Sequence, residues 1–442
     1  MLFSNKDLCK LIIPLLLERL LVITVGMVDT MMVSSVGEAA ISGVSLVDML
    51  NNLIINILAA LATGGAVVTS QFIGAGRKEA ACHSAKQLIY SAVLITLGIT
   101  GIVLACHKEI LHLFFGQIEA DVMSSAIIYL MISALSFPFL SIYNSCAALF
   151  RSMGNSQVIL KVSVLMNVIN VVGNAICLFG LKMGVSGVAI PSLISRAVAA
   201  VILYILLKNP ARMIHLTTDR FLFDRDVIRR IFRIGIPSGI ENGIFELGRV
   251  MVVSIIAGFG TVQIAANGVA NSLDSMGALV GQAMNLAMIT VIGRCVGAGD
   301  AGQIKYYTRK LLAVTYISTA LINTTMLACL HEILQLYGLG QEATQLAYIL
   351  VMIHNGIAMF LWPASFTLPN MLRACNDVRF TMVISIFSMF LFRIGGSYIL
   401  GVQMEMGAIG VWIAMVIDWI FRVCCFVGRY LRGTWKKSCG LA

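Results

Sequence analysis

Carboxylates embedded in long apolar runs are the residues of this 442-residue chain that could do chemistry. An ionisable side chain at the centre of a bilayer costs about 2.5–3.5 kcal/mol on the insertion scale, so each is a functional candidate until a structural partner is found. Glu18 and Asp29 lie in the first apolar run, eleven residues apart. At 3.6 residues per turn that is three turns to within about 20°, so the two share a helix face. Farther along, Asn167, Asn170 and Asn174 recur at i, i+3 and i+7 and put three amides on one face of another run. A carboxylate facing oxygen-bearing amides can hold a hard cation or a proton. The six histidines are scattered and no His-Glu-x-x-His run exists, so an enzyme built on convergent metal ligands is not expected.

Two further runs carry long polar stripes: Ser45, Asp48, Asn52 and Asn56 in one, and Asn267, Asn271, Asp274, Gln282 and Asn285 in the other. Lipid does not tolerate such stripes, and they are expected to line a water-filled cavity between two helix bundles. Glu241 and Glu246 are the candidates for attracting a positively charged ligand, although Arg249, three residues on, can neutralise Glu246. Glu18 and Glu241 each follow a proline by one turn, which suits a structural or gating role equally. Asp418 and Arg422, four residues apart, are expected to form an intrahelical ion pair, and His354 is expected to be a packed histidine.

The elements that position these residues follow from hydropathy. Apolar residues make up 59% of the chain and charged ones only 12%, with mean hydropathy +0.92, which excludes a water-soluble surface or a soluble domain on one anchor. With about 20 apolar residues needed per crossing, twelve transmembrane helices are expected. The first holds Glu18, Arg19 and Asp29 and has no small-residue cleavage site, so it reads as a span rather than a signal peptide. The 11 cysteines show no paired spacing and read as reduced packing residues.

Of the 31 Lys and Arg, 24 fall on the side of the membrane shared by both termini and only Lys108 and Lys182 on the other; Arg19, Arg196, Arg249, Arg393 and Arg422 lie inside spans. That asymmetry places both termini in the cytoplasm. The net charge of +10 is therefore a topology signal, and nucleic acid is not an expected partner.

One internal offset, the one that carries Pro14 onto Pro237, recurs along the whole chain. It also carries Glu18 onto Glu241, Gly37 onto Gly260 and Gly74-Ala75-Gly76 onto Gly297-Ala298-Gly299; Arg151 and Arg373 match one position short of it. The expected organisation is a six-helix bundle over 1–207, a basic cytoplasmic linker over 208–230 and a second six-helix bundle with a short tail over 231–442. Two parallel six-helix repeats are a usual architecture of alternating-access transporters. At the same offset Asp29 becomes Val252 and Asn170 becomes Arg393, so the second bundle lacks the carboxylate and gains a cation. Ion coupling is expected in the first bundle alone.

The segments Gly26-Met27-Val28-Asp29-Thr30, Gln71-Phe72-Ile73-Gly74-Ala75-Gly76 and Phe150-Arg151-Ser152-Met153-Gly154-Asn155, in order within the duplicated spans, resemble the MATE family of multidrug and toxic compound extrusion transporters. The resemblance implies a monomeric antiporter of the cell membrane that exports organic cations or amphiphilic drugs against inward H⁺ or Na⁺, with no other cofactor. It also puts Asp29 beside Asn170, Asn174 and Ser192. Many members carry a second acid where this chain has Asn174, and the single acid left here favours H⁺, with Na⁺ at Asp29 the alternative. The wider superfamily includes flippases of lipid-linked sugars, which is the alternative function.

Overall fold

The computed structural model describes residues 2–116, 119–217 and 222–441. Among them every regular element is helical. The chain divides by packing into two compact units, Phe3–Gly239 and Ile240–Ala442, with Leu2 counted in the second. The part of the expected linker at 218–221, Arg220 included, lies outside the described residues.

The first unit holds α1 (Asn5–Ser34), α2 (Glu38–Gly74), α3 (Lys78–Ala105), α4 (Ala120–Ser152), α5 (Ser156–Ala175) and α6 (Ser186–Leu207). Ser4 opens α1 by accepting from the Asp7 amide at 3.2 Å, while Asp7 Oδ2 accepts from the Ser4 amide at 2.9 Å, a reciprocal cap. Only Gly37 separates the α2 helix from the preceding turn, and its φ of 129° is one that a residue with a Cβ rarely adopts; Gly260, its repeat partner, has φ 100°. α5 ends in a widened turn at Ile176–Gly180. The apolar core of the unit gathers Val47, Leu130, Ala134 and Phe137.

α7 (Arg225–Ala257) crosses the division between units. Its first half, residues 225–239, packs on α2 in the first unit through small residues. A Cβ on Gly64 would lie 2.5 Å from the Ile231 carbonyl, and one on Gly235 would lie 3.1 Å from Leu61. The packing division thus falls inside a helix, at Gly239/Ile240, and not in the 208–230 connection. The described flanks of that connection are tied to the first unit: Leu216 donates to the Leu207 carbonyl at 2.8 Å and Gln87 Nε2 to the Leu222 carbonyl at 2.6 Å.

The second unit continues with α8 (Thr261–Gly277 and, after Ala278, Leu279–Gly297), α9 (Ala301–Ala328), α10 (Gln341–Ala374), α11 (Val378–Gln403) and α12 (Gly407–Leu431). α10 widens at Pro363–Thr367, where proline supplies no N–H and its ring crowds the preceding turn. α11 widens twice, at Met389–Gly395 and at Tyr398–Gln403. The second of these sits at the repeat position of Ile176–Gly180; the first has no counterpart, since residues 166–172 are regular α-helix.

Eleven of these helices are long and apolar enough to cross a membrane. α7 is the twelfth by length, and Glu241, Glu246 and Arg249 make it the least apolar. Large apolar side chains such as Ile102, Ile317 and Phe360 face outward, which lipid accepts and water penalises. The chain is a multi-pass membrane protein, and the twelve long helices among its described residues match the number its hydropathy predicts. Its described cysteines are all free.

Candidate functional site

Asp29, in the C-terminal part of α1, meets α5 and α6 inside the first unit. Asn174, fully buried, donates from Nδ2 to Asp29 Oδ1 at 2.9 Å. Asn170 satisfies its neighbours when its amide nitrogen faces the acid: Nδ2 then donates to Asp29 Oδ1 at 3.0 Å and Oδ2 at 3.2 Å, and Oδ1 accepts from Ser192 Oγ at 2.9 Å. Turned the other way, Nδ2 donates to Ser192 Oγ at the same 2.9 Å and the amide oxygen faces the acid. The spacing of four residues between Asn170 and Asn174 puts both amides on the α5 face toward α1. The four residues that the family resemblance implied thus lie in one cluster.

Asp48 of α2 is closer to this cluster than its polar stripe indicated. Its Oδ1 accepts from Tyr129 of α4 at 3.1 Å and from Asn51 at 3.4 Å. Arg196 of α6 interacts electrostatically with Tyr129, Asp48 and Asp29, and its Nη1 donates to Ser136 Oγ at 2.7 Å. Sequence reasoning missed Tyr129 and Arg196 as members of the site. The available signal was Arg196 itself, since a guanidinium inside a span requires an acidic or polar partner.

The second unit has a cavity lined by Arg249, Val252, Asn271, Arg393, Trp412 and Met415, among others. Four of these are the repeat partners of members of the first cluster: Val252 for Asp29, Asn271 for Asp48, Arg393 for Asn170 and Met415 for Ser192. Arg393 sits in the widened turn Met389–Gly395. Its Nη1 is 3.9 Å from Asp418 Oδ2, beyond hydrogen-bond reach, and its Nη2 donates to Met415 Sδ at 2.9 Å. Ser388 hydroxyl donates to the other Asp418 oxygen.

The remaining sequence candidates separate into paired and open groups. Glu241 is buried and bound to Arg373 Nη2 at 2.7 Å, while Arg373 Nη1 donates to Asn370 Oδ1 at 2.7 Å. That carboxylate is engaged with Arg373 inside the second unit. In the first unit Glu18 and Arg151 each interact electrostatically with Arg19 and with the buried Tyr143, with opposite sign. Glu246 meets Arg249 at 3.5 Å, as its spacing predicts. Asp274, part-exposed, lies 3.3 Å from Nδ1 of His354, which is buried between the rings of Trp412 and Trp419 at 4.9 and 4.6 Å. His354 is packed, as expected, and also partners an acid. Asn52 is exposed on α2. The intrahelical pair expected of Asp418 and Arg422 is an electrostatic one without a hydrogen-bonded contact: Arg422 donates to the Ser365 carbonyl at 3.3 Å and lies 4.5 Å over the Phe366 ring, while Asp418 accepts from Ser388 and lies 3.9 Å from Arg393. Tertiary partners outcompete the local one here because α10 and α11 bring acceptors into a dry interior.

The MatE family model matches this chain twice, over residues 14–176 and 237–399, and the second match is displaced from the first by the same offset as the internal repeat. The chain is 24% identical to a probable multidrug resistance protein NorM of Thermotoga maritima, over 98% of its own length and 93% of the relative's. It is 25% identical to the uncharacterized transporter YisQ of Bacillus subtilis, over 96% and 94%. In three dimensions it matches a MOP superfamily transporter from Pyrococcus furiosus with a TM-score of 0.90 at 19% identity, covering 98% of this chain and 96% of that one, a likeness of fold. With both repeats matched by one family model, the chain belongs to the MatE family, a family of membrane transporters and not of enzymes.

Proposed function

We propose that the protein is a cation-coupled antiporter that exports organic cations or amphiphilic drugs by alternating access, with H⁺ rather than Na⁺ as the coupling ion. The observation that carries this reading is Asp29, a carboxylate within a membrane span, held by Asn170 and Asn174, with Ser192 bonded in turn to Asn170. The amides present N–H donors to Asp29, whereas a hard cation such as Na⁺ is held by a cage of oxygens. A proton needs only one acceptor. When Asp29 takes one, an acceptor oxygen becomes a donor, and Asn170 can answer by turning its amide: its oxygen then accepts from Asp29 while its nitrogen donates to Ser192. The two hydrogen-bond sets suit the two protonation states without displacing the helices. For a gradient to drive export, proton affinity must differ between the inward-open and outward-open states.

The charge asymmetry of the loops supports a cell-membrane protein with both termini and the 208–230 connection in the cytoplasm. It is expected to work as a monomer, in contact with membrane lipid, with no nucleic acid and no cofactor beyond the ion. The test is efflux of a fluorescent organic cation from proteoliposomes under imposed ΔpH or ΔNa⁺. Export driven by ΔpH and abolished in Asp29→Asn supports the reading; export indifferent to both gradients removes it. Movement of lipids or lipid-linked sugars is the second reading, favoured by the two arginines that line the second unit's cavity.

A further inference from the structure

We infer that the cavity of the second unit binds the anionic head, a carboxylate or phosphate, of an amphiphilic substrate, with Arg393 as its principal ligand. The inference rests on the reading of the chain as an exporter of amphiphiles and names a substrate class for it. Among the described residues no carboxylate lines this cavity, whereas Arg249 and Arg393 both do, together with the amides Asn267 and Asn271. An anion entering it therefore meets two guanidinium groups and two amides, and a cation meets no counter-charge on the wall. The remaining wall, Val252, Ile256 and Met415 among others, suits an apolar body attached to that head.

Arg393 is the key residue because its own hydrogen bonding is incomplete. A guanidinium carries five N–H donors. Among the described residues its side chain donates only to a methionine sulfur and its buried Nε has no hydrogen-bond partner; the Phe245 ring lies 5.3 Å from the guanidinium. The nearest acid oxygen, Asp418 Oδ2, is 3.9 Å away, an ion pair without a hydrogen bond, while Ser388 bonds the other Asp418 oxygen. Leaving a buried charged donor without an acceptor is costly, and a ligand oxyanion lying across the fork is the partner such a group accepts best. Arg249 differs: it is exposed and leans on Glu246 at 3.5 Å, which leaves it as a secondary contact.

The repeat supplies an independent argument. Four positions that in the first unit form an acid-and-amide cluster become, at the same offset, Val252, Asn271, Arg393 and Met415 on the wall of this cavity. The polarity of the place is inverted, and the widened turn that carries Arg393 exists in this unit only. A duplicated site that had merely lost its function would keep no reason to introduce a guanidinium inside a span, given what that costs.

The experiment is ligand binding to the purified full chain in nanodiscs of zwitterionic lipid, read through tryptophan fluorescence with Trp412→Phe identifying the cavity's signal. The probes are decyl phosphate, decyltrimethylammonium and inorganic phosphate. Saturable binding of decyl phosphate is expected, weakened at least about tenfold in Arg393→Gln and less in Arg393→Lys, which keeps the charge but loses the fork. Should Arg393→Gln not fold, Arg249→Gln on the exposed side is expected to weaken the same probe by a smaller factor. Displacement of decyl phosphate by anionic lipid added to the nanodisc assigns the head to a lipid and upholds the site. Equal binding of decyltrimethylammonium, affinity for decyl phosphate unchanged in both arginine variants, or inorganic phosphate competing as well as decyl phosphate, overturns it. Efflux that no gradient drives, with decyl phosphate still bound, defeats the exporter reading alone; gradient-driven efflux of an organic cation without decyl phosphate binding defeats this inference alone.

Discussion

In the first unit Asp29, Asn170 and Ser192 meet across α1, α5 and α6, with Asp48 held by Tyr129 nearby; at the repeat positions in the second unit, Val252, Arg393, Met415 and Asn271 line a cavity. The backbones that carry the two sets are alike enough for one family model to match both. What differs is charge, and backbone at three places: the break in α8 at Ala278 and the widened turns at Pro363–Thr367 and Met389–Gly395. What is alike is instructive too. Glycines hold the same turn at Gly37 and Gly260, and a glutamate follows a proline by one turn in each unit, Glu18 and Glu241, the second of them bound to Arg373. The positions that differ give the first unit an acid-and-amide cluster and the second a cavity with two arginines on its wall.

The largest effect is expected where the first unit's acid is removed. Asp29→Asn preserves shape but cannot take a proton, so uphill export should fall more than about tenfold, equivalent to ~1.4 kcal/mol of coupling free energy, while substrate binding persists. Measuring binding and ΔpH-driven efflux on one preparation checks both halves; retained uphill export would make the two units equivalent in coupling. Nearly as large should be Asn170→Arg, which writes the second unit's residue into the first. A permanent cation beside Asp29 competes with the proton, and efflux should lose its dependence on external pH. A folded Asn170→Arg protein with the normal pH profile would break the comparison.

The Glu241–Arg373 pair gives an effect on stability instead. Glu241→Gln leaves the largely buried Arg373 without its counter-ion and should cost about 3–5 kcal/mol in detergent unfolding. The double variant Glu241→Gln, Arg373→Gln should recover part of the loss. A smaller effect is expected for Glu246→Gln, under about 1 kcal/mol, because its Arg249 partner is exposed. A large destabilisation there would show that the pair is structural, like Glu241 with Arg373.

The smallest effect lies in the 208–230 connection, within the first unit. Asp224, exposed, accepts from the Val227 and Asp226 amides and faces His83 at 2.9 Å, and these contacts hold its carboxyl below the usual range, the Val227 N–H foremost. A lowered carboxylate stabilises the fold above its unfolded value, near 4 for aspartate, and that contribution is lost as pH falls through the lower folded one. Thermal unfolding of Asp224→Asn and the natural protein should differ slightly at pH 7 and converge in the acid range; a gap that widens as pH falls would contradict this.

Much of the architecture was written in the sequence. Hydropathy determines the spans, because a bilayer rejects unpaired backbone wherever it falls, and the constant offset between matching residues determines that the chain repeats. Asp29 stood out because an acid inside an apolar run is conspicuous without knowledge of its neighbours. Period alone also gave the α5 face that meets Asp29, and the Glu246–Arg249 pair, whose partners are neighbours on one helix.

Partners on different helices were decided by the tertiary structure. Arg196 and Tyr129 come to Asp48 from α6 and α4, Arg373 comes to Glu241 from α10, and Asp418 takes its hydrogen bond from Ser388 on α11 and not from Arg422 four residues away. Helical period fixes which face a side chain occupies, but it does not say which neighbour that face meets. Inside a dry bundle the strongest hydrogen bond goes to whichever acceptor packing brings within about 3 Å, whatever its distance along the chain. The amide orientation of Asn170 and the widened turn that carries Arg393 belong to the same class. Both answer to groups from other helices, and neither leaves a mark in the spacing of residues.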